Sequence, residues 1–226
     1  MAKPTPTRTA SRAGRPARRA GRPPASAPDL REQLLDAAIA CYVRQGIAAT
    51  PLRAIAQEAA VTPAMLHYYF GDRQQLLQAV VEERLMPAFA SMRAELVQAG
   101  DDLAALVTAF VDGIARLVER HPWLPALWIR EVLCEGGALR ELMLSRVGPQ
   151  LPRMLADRFD AARRKGQLHP AFDPRLLVVS LVGLTLFPAA GAPIWRQFFA
   201  ADDLDGEALR RHTLALLAGG LGTRLD

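Results

Sequence analysis

Cysteine is nearly absent: Cys41 and Cys134 are the only two in 226 residues. Two thiols cannot frame a disulfide-stapled fold, and neither stands in a Cys-x-x-Cys or Cys/His spacing that holds a metal. The expectation is a reduced, cytoplasmic protein with no metal and no cofactor. Also lacking are a Gly-rich phosphate loop, a nucleophile elbow and a metal-ligand cluster, which argues against an enzyme. The N-terminus has no apolar segment of the kind a secretory signal needs. Sustained apolar/polar alternation, the mark of half-buried strands, is missing too, so the chain reads as all-α. One long apolar run spans residues 176–192, but Pro188 interrupts it and it falls short of the roughly 20 residues that cross a bilayer. It reads as a buried interface helix, with no membrane as partner.

Acids are absent from the first 28 residues, which hold seven basic side chains: Lys3, Arg8, Arg12, Arg15, Arg18, Arg19 and Arg22. The net charge of +5 therefore sits in this arm, and the remainder carries 21 basic against 23 acidic residues. Residues 1–28 lack a periodic apolar face and are rich in Pro, Ala and Gly, so they cannot offset the entropy of ordering and read as a disordered basic arm. The arm repeats Arg12-Ala-Gly-Arg-Pro16 as Arg19-Ala-Gly-Arg-Pro23. Its Gly-Arg-Pro core resembles an AT-hook, in which Arg15 and Arg22 would enter a narrow A·T-rich minor groove. Ala13 and Ala20 stand where the AT-hook has a second arginine, so nonspecific phosphate attraction or a solubilising tail stays open beside that reading.

From Asp29 the pattern turns helical. Leu30, Leu34, Leu35, Ala38, Ile39 and Tyr42 recur at three- and four-residue steps behind an Asp29/Glu32 capping box, and Gly46 supplies the stop. Two short helices follow, each announced by threonine then proline: Thr50-Pro51 and Thr62-Pro63. The threonine can cap, and proline suits the first helical position because its missing amide would be unpaired anyway. Residues 51–70 thus read as a helix-turn-helix. Leu52, Ile55, Ala56 and Ala59 form the stripe of its first helix, and Leu66 and Phe70 of the second lock onto it. Pro63, Ala64, His67 and Tyr68 remain on outer faces, where they would meet DNA. A further helix starts at Asp72, with Gln75 as capping partner, and runs toward Pro87. Arg73 in its first turn would help clamp a phosphate.

The order Thr50, Ile55-Ala56, Val61-Thr62, Leu66, Tyr68-Tyr69-Phe70 and Leu76 resembles the N-terminal domain of TetR-family transcriptional regulators. The resemblance covers about residues 29–87, and it implies that Thr50, Arg53, Thr62, Pro63, Ala64, His67, Tyr68, Tyr69 and Arg73 lie near bases or phosphates. Three positions depart from the family. Ala60 stands where a turn glycine is usual, so a left-handed alanine there would cost about 1–2 kcal/mol unless the turn relaxes. His67 replaces a frequent tyrosine, and Arg73 a usual lysine.

Residues 88–226 continue as helices broken by Pro and Gly, with sixteen basic and sixteen acidic residues. That balance carries no electrostatic footprint for nucleic acid, so this domain is expected to bind effector and a second copy. Leu177, Leu181, Leu184, Leu209, Leu214 and Leu217 are the expected dimer interface, in the two-fold four-helix bundle that the resemblance implies. Phe110, Trp123, Leu127, Trp128 and Met143 are the expected lining of a pocket for a bulky apolar or aromatic effector, with packing alone as the alternative. His121, Arg130 and Glu131 are candidate polar anchors there.

The whole reads as a three-helix DNA-binding domain followed by a larger helical domain. The expected function is a ligand-responsive repressor that binds a palindromic operator on double-stranded DNA as a homodimer. Two other classes are distinguishable from it. An architectural DNA protein would act mainly through its arm, and a helical enzyme would use Glu131, Glu135 and His121 for acid–base chemistry.

Overall fold

A computed structural model describes Met1, residues 30–147 and residues 150–221. The basic arm with Arg15 and Arg22, and the Asp29 cap, lie outside the described residues. Within them the regular structure is helical throughout. Helix α1 (Leu30–Gln45) buries Leu34, Leu35, Ala38, Ile39 and Tyr42 along one face, as their spacing requires. Gly46 ends it at φ +87°, with its amide donating to the Tyr42 carbonyl at 2.8 Å.

Helices α2 (Leu52–Glu58) and α3 (Pro63–Phe70) pack on each other and, through α2, on α1, with Ile55, Ala56, Leu66 and Phe70 buried between them. The turn joining them does not relax. Ala60 stands at φ +54°, and the Val61 amide closes the turn on the Ala56 carbonyl at 2.9 Å. Capping differs from expectation at both threonines. Pro51 occupies the N-cap of α2, while the Thr50 hydroxyl turns inward and donates to the Gly46 carbonyl at 2.6 Å. Thr62 does hold the N-cap of α3, in extended backbone, but without a side-chain hydrogen bond.

Helix α4 (Arg73–Val80) opens on the Asp72 carboxylate, which accepts the Gln75 amide at 2.8 Å. Pro87 does not end it. A π-helical stretch, Val81–Leu85, leads directly into α5 (Met86–Gln98), so one rod spans residues 73–98. A proline inside a helix removes an amide and crowds the preceding carbonyl, and a widened turn is one way to relieve both. The three charged side chains of this stretch each tie to another element. Glu83 pairs with Arg31, Arg84 with Asp36 at 3.2 Å, and Glu82 with Arg146 at 3.5 Å.

The larger domain is built on α6 (Leu103–Arg120), whose Val107, Phe110, Val111 and Ile114 are buried. Around it stand α7 (Leu124–Trp128), prolonged by a second π stretch Ile129–Leu133, then short α8 (Arg140–Leu142), α9 (Gln150–Arg164), α10 (Pro174–Phe199) and α11 (Gly206–Leu221). Helix α10 runs past the apolar stretch of residues 176–192 and through both Pro188 and Pro193. The Leu184 carbonyl, which Pro188 cannot serve, accepts the Thr213 hydroxyl at 3.4 Å. At 26 residues α10 is therefore long and apolar enough to cross a membrane by length and composition, so neither length nor Pro188 argues against a span. Packing is the relevant observation: Leu177, Val178 and Leu181 are buried, and the helix rests on α6, α7, α9 and α11.

The strained turn makes a stability prediction. Ala60→Gly removes the left-handed penalty and adds some unfolded-state entropy, for a net gain of about 0.5–1 kcal/mol. Urea unfolding should show a higher midpoint at unchanged slope; a lower midpoint would contradict the assigned turn.

Candidate nucleic-acid interface

Because Leu66 and Phe70 point inward, the positions between them must point out. Thr62, Pro63, Ala64, His67 and Tyr68 form an exposed face on α3 and its entry, and Tyr68 is 80% exposed. Tyr69 is half-buried, with its ring edge-on to Tyr68 at 5.3 Å, so it steadies that side chain from behind. The Nδ1–H of His67 donates to the Gly71 carbonyl at 2.6 Å. A carbonyl can only accept, so the proton sits on Nδ1, and Nε2 of the neutral ring is an acceptor. Only the doubly protonated ring could donate to phosphate from Nε2.

Arg53 of α2 is exposed and has no hydrogen-bond or ion-pair partner among the described residues. The other four arginines of residues 29–87 are engaged. Arg31 meets Glu83, stacks over the Phe70 ring at 4.6 Å and donates to the Tyr69 carbonyl at 3.3 Å. Arg44 pairs with Glu58 at 2.5 Å, and Arg84 with Asp36.

The expected site changes at two members. Thr50 is 1% exposed with its hydroxyl committed to Gly46, so it supports the loop after α1 and presents nothing to DNA. Arg73 is exposed, but its guanidinium turns back onto the same loop, donating to the Ile47 carbonyl and to the Ala48 carbonyl at 2.7 Å. It is a brace between α4 and the loop rather than a free phosphate clamp.

On its other side the loop is held by a residue from the larger domain. Glu131 is 4% exposed, and its carboxylate accepts the Ile47 amide at 2.9 Å and the Ala138 amide at 3.0 Å. Neighbouring Arg130 donates to the Val43 carbonyl at 3.1 Å, near the open end of α1. Gly137 is required for this arrangement because a Cβ there would collide with the Glu131 backbone. Both oxygens of Glu131 are so engaged, which argues against a pocket anchor or an acid–base role, and Glu135 is exposed. The Tyr42 hydroxyl is buried without a hydrogen-bond partner among the described residues, and burial pushes its pKa up to about 12, with Arg73 opposing. It stays neutral in the working pH range.

The model of the bacterial regulatory proteins of the tetR family matches residues 34–80, the segment that contains α2, α3 and the turn at Ala60. The nicotine-responsive transcriptional repressor HdnoR of Paenarthrobacter nicotinovorans is 34% identical over 84 residues, which is 37% of this chain and 43% of HdnoR. The transcriptional regulator UidR of Escherichia coli K12 is 24% identical over 195 residues, 85% of this chain and 93% of UidR. Residues 34–80 therefore carry a TetR-family domain. The likeness in fold extends to both domains: the fatty acid degradation regulator FadR of Bacillus halodurans aligns with a TM-score of 0.63 at 21% identity, covering 88% of this chain and 99% of FadR. With that domain, and with its likeness to transcriptional regulators, it is a DNA-binding transcriptional regulator.

Two expected sets in this regulator's larger domain are relocated. Phe110, Leu127 and Met143 are buried and Trp123 and Trp128 half-buried as packing, and none of them lines the cavity of about 850 Å³ between α6, α10 and α11. Leu177, Leu181, Leu214 and Leu217 are buried inside the protomer, and Leu184 and Leu209 are half-buried. The exposed apolar stripe of α10 is instead Leu176, Val179, Phe187, Ile194 and Phe198. Leucine content marks an apolar helix, but not the face it turns outward.

Substitutions separate contact from support. Tyr68→Ala and Arg53→Ala should each weaken binding to DNA selected from a random pool by about 1–3 kcal/mol at unchanged melting temperature. Arg73→Ala should lower the melting temperature. Fluorescence anisotropy and thermal melts decide; full affinity in both surface variants would remove α2 and α3 from the interface.

Proposed function

We propose that this regulator represses transcription as a homodimer, with two copies of α3 reading a palindromic operator on double-stranded DNA, and that a small molecule bound in the larger domain lowers that affinity. The observation that supports it best is the unpartnered stripe on α10, where Phe187 is 69% exposed. Leu176, Val179, Phe187, Ile194 and Phe198 fall within roughly 100° of arc at helical pitch, opposite the face that carries Leu181 and Thr185. A second copy, related by a two-fold axis, would cover this stripe together with Leu216 of α11. Recognition helices paired in this way meet successive major grooves about 34 Å apart.

Electrostatics divides the work between domain and arm. Of the five basic residues in residues 29–87, Arg53 alone is without a partner among the described residues, so the helix-turn-helix offers shape and base contacts more than bulk attraction. The seven charges of residues 1–28 would supply the salt-sensitive part. Removing the arm should leave sequence preference intact while lowering affinity and flattening its salt dependence, whereas an architectural binder would lose nearly all binding. The proposed place of action is the cytoplasm, where the DNA is.

Phe187→Glu tests the dimer. An exposed position tolerates the charge in a monomer, but a buried interface does not. Light scattering should show monomers with the helical content of the parent, and operator affinity should fall at least about 100-fold as paired half-site binding is lost. A variant that remains dimeric would place the interface elsewhere.

A further inference from the structure

The cavity between α6, α10 and α11 has a cause in the sequence. Toward its N-terminal end, α10 fills the space beside α6 with Leu177, Val178 and Leu181. One turn beyond Thr185 the same face carries Ala189 and Ala192, in the stretch Pro188-Ala-Ala-Gly-Ala-Pro193. Methyl groups cannot reach as far as leucines, and about 850 Å³ is left open, the size of a small-molecule site. Val111, Ile114 and Val118 of α6 line it from the other side.

The buried and half-buried polar side chains around this space are satisfied, with one exception among the described residues. Arg210 is held by Asp112 at 2.6 Å and Glu207 at 3.2 Å, and Arg116 by Glu95 at 2.6 Å. The Thr185 hydroxyl donates to the Leu181 carbonyl at 2.7 Å and that of Thr213 to the Leu209 carbonyl at 2.9 Å. The Trp195 indole donates to the Pro188 carbonyl at 2.8 Å. Arg196 differs. It lies at the end of the Ala189/Ala192 face, half-buried, with its guanidinium 5.4 Å from the Trp195 ring centre and no carboxylate paired to it among the described residues. Its Nε is buried without a hydrogen-bond partner among the described residues. A half-buried guanidinium whose Nε is out of water gains more from an anion than does an exposed acid such as Glu119 on the same rim, whose charge water already holds.

We propose that this cavity is the effector site and that it selects an amphiphilic organic carboxylate, the anion on Arg196 and the apolar body along Val111, Ile114, Ala189 and Ala192. The inference rests on the reading of the larger domain as the effector-binding domain. Arginine suits the role because its fork matches a carboxylate in two bonds and Trp195 fixes its plane. Small residues on α10 set the width open to the apolar body.

Calorimetry on the full-length protein without DNA tests the site, with decanoate and 2-naphthoate as probes and decanol, decylamine and 2-naphthol as controls. The expected result is binding of at least one carboxylate at one per protomer, at least tenfold tighter than its neutral or cationic counterpart. Arg196→Gln should erase that preference, Arg196→Lys should keep part of it, and Ala192→Phe should fill the cavity and abolish binding. The comparison of carboxylate with alcohol and amine is made in the parent and so does not depend on any variant folding. Failure of both carboxylates to bind, equal binding of the controls, or an unchanged preference in Arg196→Gln would overturn the proposal. Operator release is measured separately. A carboxylate that binds through Arg196 without releasing DNA would keep the site but remove the ligand response, and operator binding that persists when no probe binds would keep the DNA-binding reading and remove the site.

Discussion

One buried carboxylate holds the two domains in register. Glu131 projects from the π stretch after α7 and takes the amide of Ile47, in the loop that leads from α1 into the helix-turn-helix. A carboxylate out of water is costly unless its lone pairs are met, and here the Ile47 and Ala138 amides meet them. Everything at the loop is arranged around that contact. Thr50 ties the loop's end to its start, Arg73 takes the carbonyls of Ile47 and Ala48 from the opposite side, and Gly137 lets the chain close on Glu131. The loop is short of its own secondary structure but surrounded by donors and acceptors from three elements.

This junction gives the larger domain a physical hold on the DNA-reading face. Helix α10 lines the cavity and packs on α7, whose continuation carries Glu131. A ligand that spreads α6 from α10 therefore acts on elements in contact with the loop, and the π stretch of residues 81–85 provides a second tie through Arg31, Asp36 and Arg146. A change in the spacing of two recognition helices needs differential contacts of this kind in the two states of the protein.

Much of this was legible in the residues, and the parts that were not share a cause. Helical period, the Thr62-Pro63 start and the Gly46 stop are local signals, and α1, α2 and α3 stand where those signals put them. Local rules failed where a distant partner decided the outcome. Thr50 looked like a cap, but the Gly46 carbonyl was a better partner in a buried loop. Arg73 looked free because Ile47 and Ala48 are remote in sequence. Glu131 gave one readable hint, a carboxylate among Trp128, Ile129, Val132 and Leu133, but its amide partner lies 84 residues away. On α10 a run of leucines revealed an apolar helix without saying which side faces the protomer. The alanines at 189 and 192, which look like filler, were the better marker of the cavity.

The Ile47 loop is fixed by the buried carboxylate rather than merely adjacent to it. Native-state amide hydrogen exchange at Ile47 reads this directly. A charge-assisted hydrogen bond in a buried site is worth about 1.5–3 kcal/mol, so the Ile47 amide should exchange at least tenfold more slowly than an ordinary loop amide and lose that protection in Glu131→Gln while α6 keeps its own. Exchange of the Ile47 amide at free-loop rates in the parent protein would contradict the account.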